Sequence, residues 1–342
     1  MISKKLYRYF FLLPLFNLIV YDALSQMDDM GDSYTSILSI DPLDTDFSDL
    51  RKLKDLVGDS HIVMLGEVNH ESADAIQAKI RVVKLLHQEM GFDLIAFESG
   101  FYDLMKANED IDNGLDVEVA LAKSLFPIWT NTSEFRPLIQ YIKENKESLE
   151  VAGFDNQFSG EYVFETLYDD LKHMFGTHLN WQEFDEWHHI LLRMVEDLTF
   201  SKNSDFPHFE KLHKQVSTNL SMSPDDSSGF YGHLLHNIIR TAQDYYLNDP
   251  VGKSKKEWQA KDSNIRDSLM ASNLKFIKDK NPGKKIVCWG ASAHFANKLA
   301  GFDNEELKKF TPMGGYIKKW IGEEEVYNIA FTSLSWDSTT AI

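Results

Sequence analysis

Residues 61–101 read HIVMLGEVNHESADAIQAKIRVVKLLHQEMGFDLIAFESGF, and this stretch decides the fold. It opens with an apolar run, 62–65, which predicts a strand buried on both faces. A helical pattern follows, with Ser72 as its predicted N-cap and Gly91 as its predicted end. A second apolar run, 94–97, predicts another buried strand. Because a helix connects them, the two strands are expected to lie parallel in one sheet.

Polar side chains follow both strands at the point where each strand ends. Glu67 and His70 come after the first strand, and Glu98 comes after the second. The carboxyl ends of parallel strands share one edge of a sheet, and ligands bind in the crevice beyond that edge. The sequence therefore predicts a functional site that contains these three side chains.

Later apolar runs add strands to the same sheet and polar residues to the same edge. Asp155 and Gln157 follow one of these runs, and Ser292 and His294 follow another. The predicted additional strands are 149–154, 285–289 and 326–332. Every periodic segment between about 159 and 280 is helical, which is typical of an insertion or cap over a sheet. The predicted fold class is α/β, with a mostly parallel central sheet, flanking helices and this helical insertion.

The composition describes a globular protein with an acidic surface. The 342 residues are 43% hydrophobic and carry a formal net charge of −18. This charge argues against a nucleic-acid or anionic-membrane partner, which would favour clustered Lys and Arg. Cys288 is the only cysteine, so the chain cannot form an intramolecular disulfide. It lies within a predicted strand and is interpreted as a buried small hydrophobe.

The first 25 residues have the pattern of a secretory signal peptide. Basic Lys4, Lys5 and Arg8 precede an apolar region, and Ala23-Leu24-Ser25 matches a cleavage site. The apolar region is short for a membrane span and contains a proline, so we expect cleavage rather than stable membrane insertion. Residues 26–45 are predicted to be a polar linker and 46–342 the α/β domain. The expected location is the periplasm or the extracellular medium.

The predicted edge offers imidazoles and carboxylates but no recognisable nucleophilic serine or cysteine. No G-x-S-x-G motif occurs, which argues against an α/β-hydrolase triad. A carboxylate that holds an imidazole can make it a base for water near neutral pH. Alternatively, Glu67, His70, Glu98 and His294 could ligate a divalent metal that activates water. The residues alone leave both mechanisms open.

Several short motifs occur along the chain: G-E-x-x-H at 66–70, F-E at 97–98, Gly153-Phe154-Asp155-x-Gln157, Arg266-Asp267 with Met270 and Asn273, Trp289 through His294, 313–317 and 328–332. In this order and spacing, they resemble the erythromycin esterase family over about residues 46–332. The resemblance implies an α/β fold and hydrolysis of an ester, such as a macrolide lactone, without an obligatory cofactor. It implies that His70 is the general base, with Glu67 and Glu98 in support.

The remaining candidate site residues follow from the same resemblance and from their places in the chain. His294 completes the predicted catalytic set. The candidate substrate-binding residues are Lys79, Trp129, Asp155, Gln157, Arg266 and Ser292.

The chain also departs from the family pattern at specific positions. Lys79 stands where the family usually has an arginine, and Glu71 stands where it often has a glycine. The family's W-x-H-N-x-H becomes Trp289-Gly290-Ala291-Ser292-Ala293-His294, so one histidine and the asparagine are replaced.

The sequence is compatible with three functions. The first is an exported hydrolase that acts on a small-molecule ester with His70 as base. The second is a metal-dependent hydrolase that uses the same glutamates and histidines as ligands. The third is a non-catalytic binding protein of this fold, favoured by Ala291 in place of a histidine.

Overall fold

The computed structural model describes residues 35–175, 180–220, 229–249, 252–254 and 256–332. The predicted signal peptide and the first part of the predicted linker lie outside these ranges. The described strands are β1 (Ile62–Glu67), β2 (Phe92–Gly100), β3 (Glu150–Asp155), β4 (Lys285–Ala291) and β5 (Val326–Phe331). All five coincide with predicted strands to within a few residues.

Helices fill most of the chain between the strands. They are α1 (Arg51–Val57), α2 (Ala73–Met90), α3 (Phe101–Asp112), α4 (Val117–Ser124), α5 (Pro127–Thr130), α6 (Arg136–Glu144), α7 (Tyr162–Glu165), α8 (Leu167–Phe175), α9 (Trp181–Val195), α10 (Asp205–Leu220), α11 (Phe230–Asn248), α12 (Asn264–Lys280), α13 (Ser292–Phe295) and α14 (Met313–Ile321). The predicted limits of α2 are confirmed: Ser72 is its N-cap residue, and Gly91 ends it in the left-handed conformation, with φ of 72°.

The strands form one parallel sheet in the order β3-β2-β4-β1-β5. The predicted α/β class with a parallel sheet is therefore confirmed. The strands β1 and β2, consecutive in the chain, are not neighbours, because β4 lies between them. In the register of β1 and β4, Glu67 lies opposite Ala291. The last residues of β1 and β4 thus reach the same level at the carboxyl edge.

The helical stretch between β3 and β4 does not form a separate core. Helix α12 packs against β3, α11 against α12, and α10 against α11. The buried side chains of these helices, such as Trp187 and Phe209, belong to the same continuous cluster as Phe97 and Trp289 of the sheet. The sheet and these helices therefore share one main hydrophobic core, and Ala260, Leu299, Leu307 and Phe310 form a separate, smaller cluster.

The described part of the predicted linker is held against the sheet domain. Residues 35–45 contain no helix or strand, yet Arg81 of α2 donates to the carbonyl of Ser39, 2.6 Å away. Lys84 donates to the carbonyl of Pro42 at 2.6 Å. Within the described ranges, no helix combines the length and apolar character required to cross a membrane.

Candidate active site

The predicted edge of the sheet carries the predicted site residues. Glu67 and Asp155 are the last residues of β1 and β3, and Glu98 lies near the end of β2. His294 lies in α13, which begins directly after β4. His70 follows β1 by three residues. Local structure alone therefore brings these side chains to one end of the sheet, as parallel strands require.

Glu67 is the centre of a buried ion-paired group. Its Oε1 lies 2.7 Å from Nδ1 of His70, and its Oε2 accepts a hydrogen bond from Nζ of Lys79. The Glu67 side chain is 1% exposed and that of Lys79 is 0% exposed. A carboxylate held on both sides in this way fixes the orientation of the imidazole and favours a proton on Nδ1.

Lys79 is unsuited to the direct substrate contact that we predicted for it. Its ammonium lies 3.9 Å from the centre of the Trp289 ring and has no access to solvent. Burial lowers the pKa of Lys79 from 10.5 to about 8, against the opposing attraction of the Glu67 carboxylate. Its ammonium instead contacts the Glu67 carboxylate and the carbonyl of Gly290, so Lys79 can influence a reaction only indirectly, through the groups around it.

His70 is the most accessible of the four predicted catalytic side chains, with 21% of its side chain exposed. The ring of Trp129 packs against it edge to face, with 5.6 Å between the ring centres. Trp129 itself is buried. The buried ring of Trp129 therefore limits the movement of the His70 imidazole.

Arg266 connects the second half of the site. Its Nη2 lies 2.6 Å from Oδ2 of Asp155 and 3.0 Å from Oε1 of Glu98. Its Nη1 lies 3.1 Å from Nε2 of His294. Burial alone would raise the pKa of Glu98, but the charges of His294 and Arg266 outweigh it and lower the pKa to about 2. Glu98 is therefore an ionised carboxylate.

His294 forms a second imidazole–carboxylate pair with Asp267, which sequence reasoning did not place in the site. Nδ1 of His294 lies 2.8 Å from Oδ1 of Asp267, and that oxygen also accepts from the backbone N–H of Met313. When His294 is neutral, its Nε2 accepts from Arg266, because arginine can only donate, and its Nδ1 carries the proton that Asp267 accepts. Burial lowers the pKa of His294, but the carboxylates of Asp267 and Glu98 raise it overall. The only sequence signal for Asp267 was its place beside Arg266 in the family-like motif.

The backbone of β4 supports Glu98 at the position where the family pattern has a histidine. The N–H of Ala291 donates to Oε2 of Glu98 at 2.8 Å. A Cβ atom on Gly290 would lie 2.7 Å from the same oxygen, so glycine is required for this close approach. The strand beside Glu98 is thus β4 rather than β1, because β4 lies between β1 and β2.

Ser292 and Gln157, which follow the ends of β4 and β3, are both half-buried. Oγ of Ser292 is buried and has no hydrogen-bond partner among the described residues. The backbone N–H of Gln157 donates to Oδ1 of Asp155 at 3.1 Å, and its side chain is half-buried. Asp155 is itself held by Arg266, so Gln157 offers the more accessible polar group of the two.

The four side chains considered as metal ligands are arranged as ion-paired groups rather than as a ligand set. Lys79 occupies one oxygen of Glu67, while Arg266 contacts Glu98 and Nε2 of His294. Within the described ranges, no three His, Cys, Asp or Glu side chains converge in a way that could hold a metal ion. The cationic side chains Lys79 and Arg266 thus occupy ligand atoms that a metal ion would need. The four proposed ligands therefore do not fit a metal ion.

Comparison with known proteins identifies the family. Residues 87–337, well over half of the chain, match the family model described as erythromycin esterase. The chain is 27% identical over 332 residues to a putative hydrolase, YbfO, of Bacillus subtilis (strain 168), which covers 85% of this chain and 69% of that protein. A solved succinoglycan biosynthesis protein is 20% identical, with a TM-score of 0.62 over 91% of this chain and 74% of its own.

A mutant of the erythromycin esterase EreC, solved in its open conformation, is 19% identical, with a TM-score of 0.59 over 85% of this chain and 74% of its own. The two solved structures have the same fold as this chain. The chain therefore belongs to the erythromycin esterase family of hydrolases.

Proposed function

We propose that this protein hydrolyses a carboxylic ester and that His70 activates the attacking water. The observation that carries the proposal is the group Lys79–Glu67–His70. In it an accessible imidazole is bound through Nδ1 to a buried carboxylate, and a buried ammonium neutralises that carboxylate. Such an arrangement orients a base and stabilises the imidazolium that forms when it accepts a proton.

The proposed reaction uses Nε2, the ring nitrogen that does not face Glu67. Nε2 removes a proton from water while the water oxygen attacks the ester carbonyl carbon. The carbonyl oxygen becomes negatively charged in the tetrahedral intermediate. When the intermediate collapses, the ester C–O bond breaks and the departing alkoxide takes the proton from Nε2. The products are an acid and an alcohol, and the imidazole returns to its starting state.

Arg266 supplies positive charge for the oxyanion in this proposal. Its guanidinium is at the same sheet edge, is 12% exposed and carries a charge at every relevant pH. Fixed positive charge near the developing oxyanion lowers the barrier most when water is excluded. Asp155, Glu98 and His294 hold the guanidinium in place, so its position costs no rearrangement during the reaction.

The test is hydrolysis of a panel of esters, from p-nitrophenyl acetate to a macrolide lactone, with His70→Ala as the decisive variant. Loss of a general base lowers the rate by roughly 10²- to 10⁴-fold, so we expect a decrease of this size with an unchanged melting temperature. The matched control is His61→Ala. His61 also pairs with a glutamate, Glu325, at 2.6 Å, but it lies at the opposite end of β1.

Two outcomes would refute the proposed function. Full turnover by His70→Ala on any ester that the native protein cleaves would show that His70 is not the base. Binding without hydrolysis across the whole panel would favour a non-catalytic binding protein, the alternative that Ala291 suggests.

Export of the enzyme is part of the same proposal. It is supported by the charged start, the apolar region and the small residues Ala23 and Ser25 of the sequence. N-terminal sequencing of protein recovered from a bacterial periplasm should give Gln26 as the first residue. Recovery of a membrane-bound form that retains Met1 would contradict export by cleavage.

A further inference from the structure

Trp129 is buried directly beside the proposed base, His70. Its ring centre lies 5.6 Å from that of the imidazole, with an angle of 84° between the two ring planes. Only 1% of Trp129 is exposed, whereas 21% of the His70 side chain is exposed. A molecule in the crevice therefore meets the imidazole rather than the indole. The burial of Trp129 leaves little surface for the direct substrate contact that we predicted for it.

The indole of Trp129 is held firmly from the side of the core. Four aromatic rings surround it, and their centres lie 6.4–6.5 Å from its own: those of Phe97, Phe126, Phe135 and Trp289. Helix α5, which carries Trp129, begins with Pro127, whose own ring restricts the backbone angle φ. The indole therefore has little freedom to move.

The turn that carries Trp129 is also anchored to β2, next to Glu98. The backbone N–H of Phe126 donates to Oγ of Ser99 at 3.0 Å, and Ser99 directly follows Glu98 and is 0% exposed. The carbonyl of Trp129 accepts from the backbone N–H of Thr132 at 3.0 Å and from Oγ1 of the same residue at 2.8 Å. The position of the indole is therefore set by the same strand that carries Glu98.

A hydrogen bond through Nδ1 alone does not fix the plane of the His70 ring. Nδ1 lies 2.7 Å from Oε1 of Glu67, which fixes that atom but allows the ring to turn about it. A general base must present its lone pair about 3 Å from the oxygen of the water that it deprotonates, so the plane of the ring matters as well. Edge-to-face packing against Trp129 restricts this rotation.

Stability alone does not explain an indole at this position. Nε1 of Trp129 is buried and has no hydrogen-bond partner in the described part of the chain. Burial of an N–H group without an acceptor is unfavourable, and a phenyl ring would avoid that cost. An indole also reaches further from its Cα than a phenyl ring does. The larger ring is therefore explained by its contact with His70.

We propose that Trp129 is a positioning residue, which holds the His70 imidazole in the plane from which Nε2 removes a proton from water. This role rests on the proposed function, because it concerns the position of the base. The restriction of the imidazole is nevertheless a conformational property that does not require hydrolysis. Since Trp129 acts through His70 and not on the substrate, its loss should lower kcat and leave KM nearly unchanged.

The test compares Trp129→Phe with the matched control Trp187→Phe. Trp187 is also buried, lies in α9 of the helical insertion, and packs on the rings of Phe184 and Phe209 with centres 5.6 and 5.8 Å away. We expect Trp129→Phe to lower kcat roughly 10- to 100-fold and to change KM less than about twofold. Trp187→Phe also removes the hydrogen bond from Nε1 to His213, so it should lower the melting temperature at least as much and keep the native kcat.

Nitrogen NMR of the imidazole rings gives a second measurement that does not require hydrolysis. The chain has twelve histidines, and the signals of His70 are those that are absent from His70→Ala. At a pH where the ring is neutral, we expect the native protein to carry the His70 proton on Nδ1, because Glu67 accepts it. Trp129→Phe should show a mixture of both tautomers, since a ring that turns away from Glu67 loses this preference. Trp187→Phe should keep the native tautomer.

Four results would overturn the positioning role of Trp129. They are an unchanged kcat in Trp129→Phe, a raised KM with an unchanged kcat, an equal loss of kcat in Trp129→Phe and Trp187→Phe, and a native tautomer of His70 in Trp129→Phe. The raised KM would identify Trp129 as a substrate contact, and the equal loss would identify it as a structural residue only. If the native protein hydrolyses no ester, the proposed function is refuted, but the tautomer comparison still decides whether Trp129 holds His70. The two failures are therefore distinguishable.

Discussion

Lys79 lies between the Glu67 carboxylate and the Trp289 ring with no solvent exposure, and its pKa of about 8 falls within the working range of an enzyme. If activity requires its ammonium to hold Glu67, activity follows the protonated fraction of Lys79. That fraction is about 90% at pH 7 and about 10% at pH 9 for a pKa near 8. We therefore expect kcat/KM for an ester to fall roughly tenfold between these two pH values.

The critical variant is Lys79→Arg. A guanidinium remains protonated throughout this range, so the alkaline decrease should disappear up to about pH 10, even if the larger side chain lowers the maximum rate. The matched control is Lys84→Arg. Lys84 lies on the same helix but donates to the carbonyl of Pro42, so this variant should keep the native pH profile. The assay is initial-rate hydrolysis of p-nitrophenyl acetate, corrected for spontaneous hydrolysis at each pH.

The loss of activity at alkaline pH cannot come from unfolding caused by deprotonation of Lys79. Deprotonation of this residue raises the free energy of unfolding as the pH rises. A lysine with a lowered pKa in the folded state disfavours folding while it is protonated. Between pH 8 and pH 10.5 the unfolded chain retains the proton that the folded chain has released, so this group raises stability with pH, by up to about 3 kcal/mol. Circular dichroism at pH 9 should therefore show a folded protein at a pH where kcat/KM has fallen roughly tenfold. If kcat/KM of Lys79→Arg still falls near pH 8, Lys79 is not the group that causes the alkaline decrease.

Two further substitutions test the second half of the site. Gly290→Ala places a Cβ atom 2.7 Å from Oε2 of Glu98. We therefore expect the free energy of unfolding in urea to fall by about 1–3 kcal/mol and turnover to decrease. An unchanged free energy of unfolding would show that Glu98 can move freely. Asp267→Asn removes the carboxylate that binds Nδ1 of His294 at 2.8 Å, and we expect turnover to fall at least tenfold without loss of fold. Unchanged kcat and KM for Asp267→Asn would exclude His294 from the reaction.

The strands and the position of the site could be predicted because they depend on local patterns. The apolar runs ending at Glu67, Glu98 and Asp155 each predict a buried strand, and parallel strands deliver their ends to one edge. The βαβ stretch also determines the helix limits at Ser72 and Gly91. These features require no knowledge of distant contacts.

The partners of each charged side chain could not be predicted, because they depend on strand order and on long-range packing. The sequence pattern is compatible with β1 beside β2, but β4 separates them. That insertion gives Glu98 the N–H of Ala291 as a partner. It also places Trp289 over Lys79, which buries a lysine that sequence reasoning placed in contact with substrate. The contact between Asp267 and His294 could not be predicted, because the sequence around Asp267 in α12 does not show that His294 packs against it.

The position of β4 between β1 and β2 also determines when the site can exist during folding. The segment that contains Glu67, His70 and Glu98 leaves the ribosome early, yet its two strands have no direct pairing with each other. Both strands pair with β4, which comes from the last third of the chain, and contacts of such sequence separation form slowly. Until β4 pairs with β2, Glu98 lacks the N–H of Ala291, whereas His70 and Lys79, the partners of Glu67, lie in the same early segment as Glu67. The proposed hydrolytic site is therefore complete only after β4 has paired with both β1 and β2.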